Sequence, residues 1–542
     1  RTYHQTASLA IPLRRGRVPA RANKLDIAAG MTILASFAFT LYIALAQYRG
    51  YPHILDASAY YFQAKVFASG RLSAPAPRML SAFQGPFMIA SQGRWFAQYA
   101  PATSLLLALG MLLHVPWLIE PLLGAAALWG IYRIGCLLFS PFEGWLAVAL
   151  AALSPFYTFL VPSYLSHTPA LFFAVYFLLA LLRFGCEQRP HYLLLAAVCL
   201  DGLLLTRELS AAIFGVVAIP YIAFIYRKAL LHNLGEQLPA VLAASAIFCA
   251  GVFVYLGYNW LQTGDALTTP RTLFSPSDRY GFGDGIGFYG RHTLAAGLVN
   301  LDQLLTVLLI DLFGWPFYLT LAFLPCAFLR LLHRRNQSGA PPSGVRWDTF
   351  CLLLLCVLVV AQVGYFYHGI FLGPRYLYET LPFLLLLTAR GITALVATLN
   401  RLARSCILQP SAIGRDASFI PISRGLVGIA LLALLACNLL YFMPRQLELH
   451  TNFSGLSSFM PIDTGAVYAF HPTSAVIVTS DKSVYNYILW PLNDPDLRGP
   501  TIYAYAPTTD SVAQVRAIYS SRTFYTLSVA PDGQVSFTKL AG

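Results

Sequence analysis

Charged residues are scarce, at 11% of the 542 residues, where a soluble globular domain carries about a quarter. That shortage, with 57% hydrophobic residues and a mean hydropathy of +0.61, excludes a soluble enzyme and implies a polytopic α-helical membrane protein. Nine cysteines are present. None falls in 48–100, 263–300 or 445–542, the stretches assigned outside the membrane, so no disulfide framework is implied and the thiols read as small core residues. No internal repeat and no paired broken helices in two halves are visible, which weighs against a transporter. GxSxG, CxxC, HExxH, a DxDxDG calcium loop and nucleotide-binding fingerprints are all missing. GFGDGIG at 281–287 lacks the preceding strand and following helix that a phosphate loop needs.

What charge there is leans positive, with a formal net of +13. The Lys and Arg sit in short clusters between apolar runs instead of on one basic domain, so the surplus sets topology and nucleic acid is not an expected partner. The first apolar run, Ile27–Tyr48, is long enough to cross a hydrocarbon core of about 30 Å. Arg14, Arg15, Arg17, Arg21 and Lys24 ahead of it place residues 1–26 in the cytoplasm. Ala44-Leu45-Ala46 resembles a signal-peptidase site, but the run exceeds an h-region of about 7–15 residues, so it reads as an uncleaved signal anchor.

Pro101–His114 is apolar but too short to cross and reads as an interfacial or re-entrant helix. Spans are expected near 117–139, 145–160, 168–184, 192–206, 209–227, 237–262, 312–332, 347–367, 376–398 and 424–443, about eleven in all with the first. On that count the basic clusters fall at inward ends: Arg183 with Arg189, Arg227 with Lys228, Arg330 with Arg334, Arg335 and Arg346, and Arg401 with Arg404, Arg415 and Arg424. Residues 27–444 then form a transmembrane domain with the N-terminus in and outer loops at 48–116 and 263–311. The part 263–300, rich in Gly, aromatics and charge, is expected to lie over the outer mouth as a structured loop. From 445 to 542 the pattern changes. Alternating or β-branched runs at Ala475–Thr479, Thr501–Tyr505, Tyr525–Val529 and Val535–Lys539, separated by helix-like stretches at Val484–Leu489 and Ser511–Tyr519, predict a small extracytoplasmic α/β domain.

The candidate chemistry starts at Leu55–Tyr99. Asp56 is the only carboxylate between Arg49 and Tyr99. After it Tyr60, Phe67 and Leu72 alternate with Gln63, Lys65 and Arg71 at helical spacing, which predicts a helix lying along the membrane surface with Asp56 at the mouth of the bundle. Asp56 suits a general base; it also suits an N-cap ahead of Ala-Ser-Ala-Tyr. Arg207 and Glu208, in LLLTRELSA, and Arg375, in GIFLGPRYLYETLP, sit at outer ends of spans, where a guanidinium is costly unless it meets an anion such as a polyprenyl phosphate. The alternatives are snorkelling or an internal pair such as Arg375 with Glu379. His167, in SYLSHTPALFF, is placed to hydrogen-bond a sugar or assist proton transfer, or is structural. Asp278, Arg279, Asp284, Arg291 and His292 gather in the Gly-rich loop without metal-ligand spacing, so no metal or other cofactor is expected. Tyr60 and Tyr376 join His167, Glu208, Asp278 and His292 as substrate-binding candidates. Asp201, within a span, needs a partner in the bundle.

The runs LDASAYYFQAKVFASGRL, GRWFAQYAPATSLLLALG, LSPFYTFLVPSYLSHTPALFF, LLLTRE and GPRYLYETLPFLLLLTARG together resemble the GT-C superfamily of membrane glycosyltransferases. They are most similar to the bacterial branch that resembles protein O-mannosyltransferases and the lipid A aminoarabinose transferase. The resemblance covers the first to the tenth span. It implies that Asp56 corresponds to the first-loop acid that acts as base or orients the acceptor. Arg207 and Arg375 correspond to positions where basic residues meet the lipid phosphate. Two departures stand out. Many relatives carry two adjacent acids where this chain has Asp56-Ala57, and a second acid often stands in the later outer loop where this chain has His167.

The function implied is that of a hexosyl- or pentosyltransferase with a single Asp base, inverting and metal-independent. It would move a sugar from a polyprenyl-phosphate donor to a lipid, glycan or protein acceptor at the outer face of a bacterial inner membrane. Expected partners are therefore the lipid-linked sugar, the acceptor, membrane lipids and a protein partner through the C-terminal domain. Two other classes stay open: a catalytically silent subunit or scaffold of a membrane complex, and a transporter or flippase of lipid-linked glycan.

Overall fold

The computed structural model describes residues 24–329, 343–407, 420–451 and 462–541. Arg14, Arg15, Arg17, Arg21, Arg330, Arg334, Arg335 and Arg415, and the side chain of Arg404, lie outside the described residues. Among those described, nine helices are long and apolar enough to cross a membrane, from Lys24–Gln47 to Arg424–Thr451. The chain is a multi-pass membrane protein. Three expected crossings are built from shorter pieces. In place of 145–160 stand Pro141–Ala152 and, after a break at Ser154, Pro155–Leu160; 192–206 is Pro190–Leu204; 312–332 contains the short helices within Pro316–Phe328. Each piece begins at a proline, which fits the first helical turn but ends any helix running into it.

The larger correction falls in 263–311, which is not loop throughout. Leu294–Asp311 is an 18-residue apolar helix. Asn300, Asp302 and Gln303 interrupt its apolar run and hide it from a hydropathy reading. Its first turns pack on Val363, and Asn300 Nδ2 donates to the Phe366 carbonyl at 2.8 Å. Just past its end, the Leu312 and Phe313 carbonyls accept from Ser154 and Asn438 inside the bundle. Gly314, at φ +61°, then turns the chain into Pro316–Phe328, whose Phe323 backbone lies against Gly391. Leu294–Asp311 thus adds a candidate span that the expected series did not contain.

One end of the bundle brings together the segments around Arg183, Arg227 and Arg346: the Tyr221 hydroxyl donates to the Arg346 carbonyl at 2.6 Å, the Tyr226 and Trp347 rings lie 6.3 Å apart, and Gly185 meets Tyr226. Near it Arg390 is buried between Asp348 at 2.9 Å and Glu143 at 3.1 Å. The opposite end carries the Leu55–Ala68 helix, the 264–293 loop and the α/β region. Although its pattern predicts a surface helix with one wet face, Leu55–Ala68 buries every residue from Ala57 to Ala64. On one side it meets Pro101–Leu112, where Ser104 Oγ donates to the Tyr60 carbonyl at 3.0 Å. On the other it carries the C-terminal region. Phe62 stacks on Trp490 at 5.3 Å, Lys65 Nζ donates to the Pro491 and Asn493 carbonyls at 2.7 and 2.9 Å, and Arg71 grips Asp496 with two bonds of 2.7 and 3.0 Å. Burial pulls the Lys65 ammonium down to about 8.

All four expected strands are present, as Ala475–Thr479, Thr501–Tyr505, Thr523–Val529 and Val535–Lys539. Ala475–Thr479 pairs in parallel with Thr501–Tyr505 on one side and Thr523–Val529 on the other; Val535–Lys539 closes the edge antiparallel. A strand buried on both faces needs apolar residues throughout, and here Ile477 packs with Trp490 and Trp95 while Val476 and Val478 pack with Phe83 and Val515. First-loop and C-terminal residues thus share their cores. Gly85 shows how closely: a Cβ there would lie 1.9 Å from the Trp490 ring. Gly85→Ala is therefore expected to destabilise by about 1–3 kcal/mol, as overpacked cores do. A thermal unfolding midpoint equal to the parent's would show that the two regions are not docked this way.

Candidate functional site

A cavity of about 340 Å³ opens between the helical bundle, the 264–293 loop and the C-terminal region. Asp56 lies on its wall. The N-cap of its helix is Ile54, so Asp56 sits inside the first turn and the N-cap reading is corrected. Its carboxylate is turned to tertiary partners: Oδ1 accepts from the Tyr99 hydroxyl at 2.8 Å, and Oδ2 lies 3.5 Å from Nη1 and from Nη2 of Arg375. The short strand Arg94–Ala97 leads straight to Tyr99, whose ring stacks on Tyr60 at 4.2 Å. Burial, and then the charge of Asp56, hold the Tyr99 phenol well above its ordinary range, so it stays a donor.

Arg375 enters from the far side of the sequence. Gly373, at φ +84°, turns the chain into Arg375–Thr380, a 3₁₀ segment. With about three residues per turn, positions four apart do not share a face, and the expected Arg375–Glu379 pair is not made. The Arg375 guanidinium, 2% exposed, lies between the Phe371 ring at 5.7 Å and the Tyr376 ring at 5.4 Å. Its Nε and Nη1 have no hydrogen-bond partner among the described residues. Glu379 pairs instead with Arg207, at 2.8 Å from Nε. Arg207 Nη1 meets His167 Nε2 at 2.9 Å. A guanidinium only donates, so Nε2 accepts and His167 carries its proton on Nδ1, which has no partner among the described residues. Arg207 also lies 5.5 Å from the Tyr376 ring, which leaves that ring in contact with two guanidiniums.

A third guanidinium, Arg271, pairs with Asp278 at 2.9 Å and lies 5.2 Å from the Tyr365 ring; the Tyr365 hydroxyl donates to Asp278 at 3.0 Å. Glu208 accepts from the Tyr255 hydroxyl at 2.9 Å. The cavity brings together Asp56, Tyr60, His167, Arg207, Glu208, Asp278, Arg375 and Tyr376 of the sequence candidates. His292 is not on its wall: its Nε2 meets the Val363 carbonyl at 3.0 Å and its ring stacks on Phe282, so it supports the loop from behind. Asp284 pairs with Arg291 at an exposed edge, and the Asp201 carboxylate packs on Gly251, away from the cavity. Sequence reasoning missed Tyr99, Arg271, Tyr365 and Tyr487 on the wall. Arg271, a basic residue in an aromatic loop, offered a signal; Tyr487, on the C-terminal region, offered none. Among the described residues no group of three or more His, Cys, Asp or Glu is placed to hold a metal.

No protein-family model and no curated protein matches the chain. Among solved structures, it superposes on ArnT from Cupriavidus metallidurans bound to undecaprenyl phosphate with a TM-score of 0.53 and 12% identity, over 92% of both chains. The same protein in its apo state aligns at 0.50 with 13% identity, over 93% of this chain and 92% of that one. ArnT is a GT-C membrane glycosyltransferase. This chain has the GT-C fold. At this identity the likeness speaks for the fold alone, and the chemistry rests on the cavity. There the GT-C bundle places three guanidiniums over one group of aromatic rings. Two are matched by carboxylates within 2.9 Å and the third, Arg375, by a carboxylate at 3.5 Å.

Proposed function

We propose that the protein is an inverting glycosyltransferase that moves a sugar from a polyprenyl-phosphate donor to an acceptor hydroxyl. The observation that carries this reading is Arg375: a buried cation on the cavity wall, loosely paired with Asp56 at 3.5 Å, with two nitrogens that make no hydrogen bond among the described residues. Burying such a group is costly unless an anion completes it, and a phosphate suits the guanidinium fork. The ArnT structure with undecaprenyl phosphate supports a lipid phosphate as that anion. In the proposed reaction the donor phosphate bonds Arg375, with His167 Nδ1–H as a second donor. Asp56 takes the proton of the acceptor hydroxyl, whose oxygen attacks the anomeric carbon from the face opposite the phosphate. The carbon–oxygen bond to phosphate breaks with its electron pair on the phosphate, whose growing charge Arg375 neutralises. The lipid phosphate is a good leaving group, so one base and one cation suffice and no metal is invoked. Residues 27–444 would form the transmembrane domain of a bacterial cytoplasmic membrane protein, with 445–542 and the cavity on the outer side and 1–26 in the cytoplasm.

Reconstituted in liposomes, the protein is expected to release undecaprenyl phosphate from an undecaprenyl-phosphate sugar supplied on the side where Gln514→Cys reacts with a membrane-impermeant maleimide. No turnover with any lipid-linked sugar would favour the scaffold reading. Labelling of intact cells only after permeabilisation would put the cavity on the cytoplasmic side.

A further inference from the structure

Resting on the phosphate site just described, we propose that Arg375 masks the base until a donor phosphate draws it away, and that Tyr99 is the positioning residue that holds Asp56 once it is unmasked. The two oxygens of Asp56 are treated differently. Tyr99 binds Oδ1 at 2.8 Å, a full hydrogen bond, while both Nη atoms of Arg375 stand 3.5 Å from Oδ2, beyond the about 2.7–2.9 Å of a closed ion pair. The other two cation–carboxylate pairs in the cavity are closed, at 2.8 and 2.9 Å. Arg375 is therefore close enough to stand over the Oδ2 lone pairs and loose enough to be taken by a better partner. Those lone pairs open to an acceptor hydroxyl only when the guanidinium turns to another anion. The acceptor would be deprotonated only once the donor is seated.

The charges close the cycle. The bound sugar phosphate is a diester with one negative charge; transfer leaves a polyprenyl phosphate monoester with up to about two and a protonated, neutral Asp56. When Asp56 later yields its proton to water, its negative charge returns beside the product phosphate. Repulsion, and the renewed claim of Oδ2 on Arg375, then expel the lipid. Tyr99, stacked on Tyr60 and edge-on to Phe87, keeps Oδ1 fixed throughout while Oδ2 changes partner.

The discriminating measurement is equilibrium binding of undecaprenyl phosphate to the purified full-length protein. Asp56→Asn removes the competing charge and is expected to bind at least about tenfold more tightly than the parent, the least that one unit-charge repulsion across a few ångströms of partly buried site should give. Tyr99→Phe is expected to bind within about twofold of the parent yet to transfer about tenfold more slowly, a split that a general structural defect would not produce. Equal or weaker binding by Asp56→Asn overturns the mask and leaves the phosphate site standing. A parent that binds no undecaprenyl phosphate overturns the proposed function itself. Should Asp56→Asn fail to fold, the parent gives the answer through dicyclohexylcarbodiimide labelling of Asp56. Undecaprenyl phosphate is expected to speed that labelling by freeing Oδ2, and protection or no change overturns the mask.

Discussion

Asp56→Asn is expected to transfer sugar at least about a hundredfold more slowly than the parent, within the about 10²–10⁴ that a general base contributes. Among the described residues on the cavity wall, no other carboxylate or histidine stands ready to replace it. Glu379 and Asp278 are held by guanidiniums at 2.8 and 2.9 Å, and Glu208 by the Tyr255 hydroxyl. The only free-base lone pair of His167 is engaged by Arg207. The loss should come with a stability signature. Asp56 does not cap its helix, so the substitution acts through Arg375, which keeps its charge and loses its carboxylate. Removing one partner of a buried pair costs about 3–5 kcal/mol when burial is complete, and less here because the Asp56 side chain is 22% exposed. The variant's unfolding midpoint should fall without ligand and recover with undecaprenyl phosphate, which restores an anion to Arg375. A parental transfer rate in a folded Asp56→Asn protein would move the base elsewhere and return the scaffold reading to the front.

Arg375→Lys retains the positive charge but loses the fork, and should lower transfer on the order of 10²–10³-fold, the size of losing one preorganised donor to a charge that develops in the transition state. Arg375→Ala should be worse for donor use, but not for folding in proportion, because Asp56 keeps its hydrogen bond from Tyr99 and is 22% exposed. The comparison separates two roles. If Arg375 only neutralises Asp56, Arg375→Lys should use the donor at the parental rate; if it holds the leaving phosphate, both kcat and undecaprenyl phosphate affinity must drop. Folding is checked by thermal unfolding of the same preparations.

Much of the cavity could be named in advance, because a charged residue at the end of an apolar run is conspicuous. Asp56, Arg207 and Arg375 stood out for that reason, as did His167 and Asp278. Their partners did not. The Arg375–Glu379 pair assumed α-helical spacing, and a 3₁₀ turn after Gly373 removed it. His292 was as conspicuous as His167 but turned to a carbonyl behind the loop. Tyr99 looked like one aromatic residue among many, and Arg271 like one loop cation among several.

Local periodicity alone carries the class of the protein and the four strands of the C-terminal region: runs of about 20 apolar residues for a span and β-branched runs for buried parallel strands. Which face of the Leu55–Ala68 helix is wet depends on packing, since a region more than 400 residues later covers the side that its pattern leaves to solvent. Packing also brings Arg375 to Asp56 across 319 residues of chain and sends Glu379 to Arg207. Ion pairs of this kind are set by which segments pack side by side. Desolvation within the bundle makes each buried charge take the nearest opposite charge that packing supplies, and spacing along the chain carries no record of that choice.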